Sequence, residues 1–327
     1  ASIQQRSSEV RKRAEGVVFG PVASRRLGRS LGIDLITTRT CIYDCVYCEV
    51  GRTTMVTCER REFVPAGQVL AEVEAVLREG PALDFLTLAG TGEPTLSRSL
   101  GTVIRSLKNK FPYPVAVLTN GSLLWQEEVR EELAPADVVI PTLTSVNEET
   151  FRLIHRPHPS LRLAEILEGF ITFRREFPGE MWLEVFLVPE LNTTPQELEG
   201  LREEIARIRP HRVQLNSVHR PPPEPWVRAV SQEEEKGVKG VLAAAGIPVE
   251  IAGEVPPVPH TGPRERILSV LTGKEGTVEE VARATGLSPS VVQRHLLLLC
   301  REGMIQVVSG RRGEPQYTRR EGNSCSA

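Results

Sequence analysis

The run Cys41-Ile42-Tyr43-Asp44-Cys45-Val46-Tyr47-Cys48 places three thiols within eight residues, directly after the first stretch that reads as a buried strand, 32–36. Three thiolates on one short loop can hold three corners of an iron-sulfur cubane and leave the fourth iron open. A structural zinc site needs a fourth Cys or His to close its tetrahedron. Cys58, ten residues further on, is the available candidate; its alternative reading is a spare thiol. Cys300 falls on the apolar side of a helical pattern and reads as core, and Cys325 lies in a loose stretch. Six cysteines spread so unevenly do not make a disulfide scaffold, so the clustered ones read as metal ligands in a reducing compartment.

Outward from that loop, short apolar or β-branched runs alternate with amphipathic ones. Strand-like runs cover 85–88, 115–118, 138–143, 183–188 and 213–215, and helical periodicity covers 68–78, 100–109, 127–133, 148–155, 163–175 and 197–208. Six strands separated by helices imply βαβ units and a parallel sheet, either an open (β/α)6 partial TIM-type barrel or a doubly wound sheet. In both, function sits at the carboxyl ends of the strands. The segment His219-Arg220-Pro221-Pro222-Pro223-Glu224-Pro225 is too rich in proline for regular structure. A helix at 233–245 and a short strand at 249–251 complete this body.

The expected organisation is a disordered lead-in (1–15), a core domain (16–255), a linker (256–262), a winged helix-turn-helix domain (263–320) and a tail (321–327). In the small domain a first helix spans 264–271, and Thr277-Val278-Glu279-Glu280 is a capping box opening a second. Gly286 ends it, and Ser288-Pro289 opens a third helix that stops at Gly303. Two β-rich pieces, 305–308 and 316–318, flank Ser309-Gly310-Arg311-Arg312-Gly313, a basic wing. On the third helix Ser290, Gln293 and Arg294 are expected to face outward, with Val291, Val292, Leu297 and Leu298 packed. Residues 263–320 carry ten Arg or Lys against six Glu, whereas the net charge of the whole chain is -2. A basic module therefore rides on an acidic body, and nucleic acid or protein is its expected partner. No run of apolar residues is long enough to span a bilayer, and no leader pattern is present, so a cytoplasmic location without a membrane partner is expected.

The cysteine spacing CxxxCxxC, with the aromatic Tyr47 before the last cysteine, resembles the signature of the radical S-adenosylmethionine (SAM) superfamily. Gly90-Thr91-Gly92-Glu93-Pro94 after the second strand resembles that family's GGEP element, and Thr119-Asn120-Gly121 after the third resembles a further element lining the same pocket. The resemblance implies a [4Fe-4S] cluster on Cys41, Cys45 and Cys48. It implies SAM contacts from Tyr47, Gly90, Gly92, Glu93, Asn120 and Thr142, with Glu93 taking the ammonium group. It also implies an electron donor such as flavodoxin or ferredoxin, and reductive cleavage to a 5'-deoxyadenosyl radical that abstracts hydrogen from a substrate. Taken singly, a Thr-Gly-Glu-Pro turn or an Asn-Gly pair is ordinary strand-to-helix punctuation; their order and position carry the resemblance.

Residues 19–225 are similar to the subgroup related to wyosine-type tRNA base synthases, through Phe19-Gly20-Pro21-Val22, Ser24 to Asp34, Phe151, Arg156-Pro157 and Arg220-Pro221-Pro222. RNA base modification is the activity this implies. No cysteine precedes Cys41, so the second cluster of the archaeal wyosine enzymes has no ligands here. Thr142-Leu143-Thr144 stands where relatives read Ser-Leu-Asp, and Glu190-Leu191-Asn192 where they read Gly-x-Asn. Arg25, Arg26 and Arg29 suit a SAM carboxylate or an anionic substrate, or else form a solvated basic loop. His155, His158 and His219 lie near loops that can face a substrate, although an isolated histidine is commonly structural. No substrate-side catalytic residue is identified by the motifs. The alternative to an enzyme is a DNA-binding regulator that responds to its iron-sulfur cluster and SAM.

Overall fold

The computed structural model describes residues 16–78, 80–81, 83–253, 263–285, 287, 289–301, 303–309 and 314–320. The expected lead-in, the linker at 256–262, Gly286, Ser288, Gly310 to Gly313 with the two wing arginines, and the tail with Cys325 lie outside these residues.

The body runs β1 (Val18–Ser24), β2 (Gly28–Ile33), a short pair β3 (Thr40–Cys41) and β4 (Met55–Val56), α1 (Ala66–Leu77), β5 (Phe85–Leu88), α2 (Leu100–Lys110), β6 (Val115–Thr119), α3 (Glu127–Leu133) and β7 (Val138–Pro141). It continues through α4 (Glu148–His155), α5 (Leu163–Glu176), β8 (Glu180–Phe186), α6 (Pro195–Ile208), β9 (Arg212–Asn216), α7 (Gln232–Ala243) and β10 (Val249–Ile251). The eight-stranded sheet has the order β1-β2-β5-β6-β7-β8-β9-β10. Every neighbouring pair is parallel except β1 with β2. It is an open α/β half-barrel: the six expected strands, the first of them lying at Gly28–Ile33 rather than 32–36, the expected short strand β10 as a seventh parallel one, and an antiparallel edge.

Period-two alternation sorts the strand side chains onto two faces. Leu86, Leu88, Val115, Val117, Val139, Leu183, Val185, Val213 and Leu215 pack outward in the main core with the helices. Phe85, Ala116, Val138, Ile140 and Trp182 form a separate inner cluster, and Leu27 from the β1-β2 turn inserts into it. The antiparallel hairpin was not expected from the sequence. β1 contains Pro21, tolerated because the strand is an edge, and its residues Val18-Phe19-Gly20-Pro21-Val22-Ala23-Ser24 do not alternate between apolar and polar. Its turn puts Leu27 against the inner wall and directs Arg25 and Arg26 to Asn216 and Glu184 inside the sheet.

The C-terminal module consists of α8 (Pro263–Val270), α9 (Val278–Thr285), α10 (Pro289–Arg301) and the hairpin β11 (Ile305–Ser309) with β12 (Pro315–Arg319). It has its own core of Ile267, Leu271, Val281, Val292, Leu296, Leu299, Ile305 and Tyr317, with Cys300 packed against it as expected. The Thr277 and Glu280 capping box is formed in both directions. Two expectations for α10 are corrected. Leu297 is 53% exposed rather than packed. Arg294 is not free: its guanidinium donates to the Tyr113 carbonyl at 3.2 Å and meets Asp137 at 3.4 Å, both on the body. A helix flanked by its own core and by a second unit has two buried faces, so a one-face reading of its periodicity turns it the wrong way.

Candidate active site

The cysteine loop is held from below by the end of α4. Asp44 N–H donates to the His155 carbonyl and Val46 N–H to the Ile154 carbonyl, each at 2.9 Å. Ile42, Tyr43 and Val46 are buried anchors between the cysteines. On the outer side, Asp44 accepts from the Thr53 N–H at 2.8 Å. Glu224 of the proline-rich segment meets both Arg52 and Arg156, the latter at 2.6 Å. The residues around 220–225 thus clamp the loop, a role the sequence did not indicate.

Each cysteine sulfur is surrounded by hydrogen-bond donors. The N–H groups of Ile42 and Tyr43 aim at Cys41, and the Asn120 amide approaches it at 3.6 Å. Cys45 receives the Tyr47 hydroxyl and lies 3.1 Å from Nδ1 of His155. The N–H groups of Val50 and Gly51 aim at Cys48. Burial, reinforced by Glu93, pushes the Cys41 thiol up to about 12, and burial with the neighbouring thiols pushes Cys45 well above the ordinary thiol range. Donors converge on sulfurs that burial alone would keep protonated, an arrangement suited to metal-bound thiolates, whose protons the metal displaces. Among the described residues no three His, Cys, Asp or Glu side chains converge on a single metal ion; thiolates on separate corners of a cubane stand further apart than ligands of one ion. The Cys58 sulfur lies 3.6 Å from the Ser160 hydroxyl.

The turn after β5 is shaped by two close approaches. Asp34 accepts from Ile36 N, Thr37 N, Thr91 N and the Thr91 hydroxyl. A Cβ on Gly90 would lie 2.2 Å from the Asp34 carboxyl carbon, and one on Gly92 would lie 2.2 Å from the Thr40 carbonyl oxygen. Only glycine at both positions lets this turn lie against the cysteine loop. Glu93 is 3% exposed, and its carboxylate faces inward. Oε1 accepts from Thr95 N, the Thr95 hydroxyl and the Thr119 hydroxyl; Oε2 accepts from Asn120 N at 2.8 Å. Burial raises its pKa against the pull of those four donors. Each carboxylate oxygen offers about two acceptor positions, so Oε1, shared by three donors, is filled and Oε2, with one, keeps one in reserve.

These elements surround a cavity of about 350 Å³ at the carboxyl ends of the strands, where the fold predicts function. Tyr47, Gly90, Gly92, Glu93, Asn120 and Thr142, all expected from the motifs, line it together with Cys48. Sequence reasoning missed Glu184, Phe186 and Asn216 in the same wall. Glu184 accepts from Arg26, from Thr142 at 2.6 Å and from Asn216 at 2.8 Å. Its signal was a carboxylate within the otherwise apolar run Met181-Trp182-Leu183-Glu184-Val185-Phe186. Arg26 is thereby neutralised and Arg25 bonds Asn216 at 3.0 Å. The Arg29 backbone pairs with Asp84 at the opposite end of β2, away from the cavity.

Residues 35–205 match the model of the Radical SAM superfamily, and residues 263–307 match that of the bacterial regulatory protein, arsR family. The chain belongs to the radical SAM superfamily, and its cofactors are a [4Fe-4S] cluster and S-adenosylmethionine. Among its relatives are UPF0026 proteins: that of Methanocaldococcus jannaschii is 40% identical over 214 residues, 65% of this chain and 66% of that one, and that of Synechocystis is 37% identical over 63% of this chain and 77% of that one. A Brachyspira hyodysenteriae protein named GTPase Obg is 35% identical over 90% of this chain but only 44% of its own length, so this chain spans less than half of that relative. A radical SAM methyltransferase from Sphaerobacter thermophilus has the same fold at a TM-score of 0.52 and 19% identity, over 68% of this chain and 65% of that one. The family match supports an enzyme rather than a SAM-responsive regulator. Among the described residues no helix is long and apolar enough to cross a membrane.

Proposed function

We propose that Cys41, Cys45 and Cys48 hold the [4Fe-4S] cluster, that SAM lies in the adjoining cavity, and that the chain uses the pair to abstract hydrogen from a purine nucleotide, most naturally within RNA. The observation that carries this reading is the convergence of the cysteine loop, the Gly90 to Glu93 turn, Asn120 and Thr142 on one cavity. When bound there, the cofactors supply a 5'-deoxyadenosyl radical, with the electron coming from a carrier of the flavodoxin or ferredoxin type. The remaining Oε2 position of Glu93 and the backbone of the Gly90 to Gly92 turn would hold the ammonium group. Asn120 orients Cys41 while its own Oδ1 is held by Ser122 N at 2.9 Å. Phe186, stacked on Tyr47 with ring centroids 3.9 Å apart, walls the cavity against water. Thr142, Glu184 and Arg26 form a fixed polar floor.

The purine assignment draws on two likenesses: the motifs shared with wyosine-type tRNA base synthases, and a 130-residue segment 29% identical to a probable GTP 3',8-cyclase of Saccharolobus islandicus. The basic winged module is consistent with a nucleic-acid substrate. The test is SAM cleavage by reconstituted, chemically reduced protein in the presence of total RNA, tRNA, GTP or no addition. We expect RNA to raise 5'-deoxyadenosine several-fold and to acquire a new nucleoside in its digest. Stimulation by GTP alone would move the substrate to the free nucleotide, and stimulation by neither would remove the purine assignment while leaving SAM cleavage intact.

A further inference from the structure

His155 is the last residue of α4 and is 2% exposed. Its ring is enclosed by Tyr43, Phe151 and Tyr47, with centroid distances of 4.6, 5.1 and 5.9 Å. Nδ1 stands 3.1 Å from the Cys45 sulfur, and Nε2 stands 2.6 Å from the Thr144 hydroxyl. Thr144 is 1% exposed, and its carbonyl accepts from Asn192 at 2.8 Å. Neither ring edge is therefore free to turn. A metal-bound thiolate only accepts hydrogen bonds, so Nδ1 must carry the proton, Nε2 must accept, and the Thr144 hydroxyl donates to it. The same residue holds the loop twice, since its carbonyl also accepts from Asp44 N.

We propose that His155 is a positioning residue that acts on the cluster through Cys45: its Nδ1–H donates to the ligating sulfur, fixes that ligand and raises the reduction potential of the cluster. A hydrogen bond to a cluster thiolate withdraws electron density from it and favours the reduced, more negative state. Cys45 is the ligand on which this matters most, because its sulfur lies within the protein beside two ring donors, His155 and Tyr47. Thr144 acts at one remove, by holding the ring in the tautomer that donates. The inference rests on the cluster assignment made above.

The experiment is a redox titration followed by electron paramagnetic resonance on the reconstituted full chain, compared with His155→Leu, His155→Asn and Thr144→Val. Iron and sulfide content are measured alongside. An Asn amide can place N–H near the position of Nδ1, whereas Leu removes the donor. The expected result is a full complement of iron in the unmutated protein, a more negative midpoint in His155→Leu, and a midpoint returned toward the original in His155→Asn. Thr144→Val, which keeps the ring but not its anchor, is expected to shift the same way by less, and it decides the matter if His155→Leu does not load. A loaded His155→Leu protein, or failing that a loaded Thr144→Val protein, with an unchanged midpoint overturns this inference alone. Absence of a cluster from the unmutated protein overturns the cluster assignment and this inference with it.

Discussion

At the scale of single residues, the site is governed by close approach and by donors aimed at a few acceptors. Gly92 has no room for a methyl group, because its place is taken by the Thr40 carbonyl, a backbone atom that cannot swing aside. Gly92→Ala is therefore expected to displace the turn that carries Glu93. Overpacking of this kind costs about 1–3 kcal/mol, visible as a lower denaturation midpoint, and equilibrium dialysis should show weakened SAM binding. Unchanged stability and binding would mean the turn is softer than its contacts imply. Glu184 makes the complementary case. Glu184→Gln keeps its shape but leaves Arg26 without its carboxylate inside the sheet, and breaking a buried pair costs about 3–5 kcal/mol. Because the Arg26 side chain retains 20% exposure, the lower end of that range is expected in chemical denaturation.

Elements are positioned by caps and edges more than by propensity. Helix α4 carries at its C-terminus the two carbonyls and the imidazole that hold the cysteine loop, and at its N-terminus Asn147 accepts from Glu149 N and Thr150 N at 2.9 and 3.2 Å. Asn147→Ala should cost about 1 kcal/mol, the usual worth of such a cap. It should also slow cluster loading, measured as iron incorporated over time, because the frayed helix is the platform of the loop. Loading at the original rate would show that the last turn of α4 stands independently of the first. At this scale the sequence was most legible. Strands and helices with clean periodicity, such as β5, β7, α3 and α4, fall where the pattern predicts, and the thiol loop and glycine turn were readable because their chemistry is local. The β1-β2 hairpin was not legible, since its reason for existing is remote: Leu27 fills the inner face of the sheet, and Arg26 reaches Glu184, 158 residues away in sequence.

For the whole molecule, the placement of the winged module governs how it can act. Arg294 on α10 is engaged with the amino-terminal rim of the sheet, through Asp137 ahead of β7 and the Tyr113 carbonyl ahead of β6. That rim is opposite the cavity. Asp137 also holds Lys108 and the Val115 N–H, so it remains paired when Arg294 is removed. Arg294→Ala should consequently leave the melting of the body nearly unchanged while enlarging the radius of gyration in small-angle scattering as the module detaches. An unaltered radius would show that contacts other than Arg294 fix the module. The same docking explains why the outward face of α10 was legible only in part: Gln293 is exposed as expected, whereas Arg294, whose guanidinium suits phosphate, is spent on the body, and Leu297 is exposed in place of being packed.

The central chemistry of the proposed function is the reductive cleavage of SAM at a cluster held by Cys41, Cys45 and Cys48. The direct measurement is chromatography for 5'-deoxyadenosine after anaerobic reconstitution with iron and sulfide, chemical reduction and addition of SAM, with Cys45→Ala as the paired sample. The prediction is a brown protein that forms 5'-deoxyadenosine, and a Cys45→Ala protein that loses nearly all of that product. Product at equal rates from both proteins, or a colourless unmutated protein that retains zinc, would contradict it.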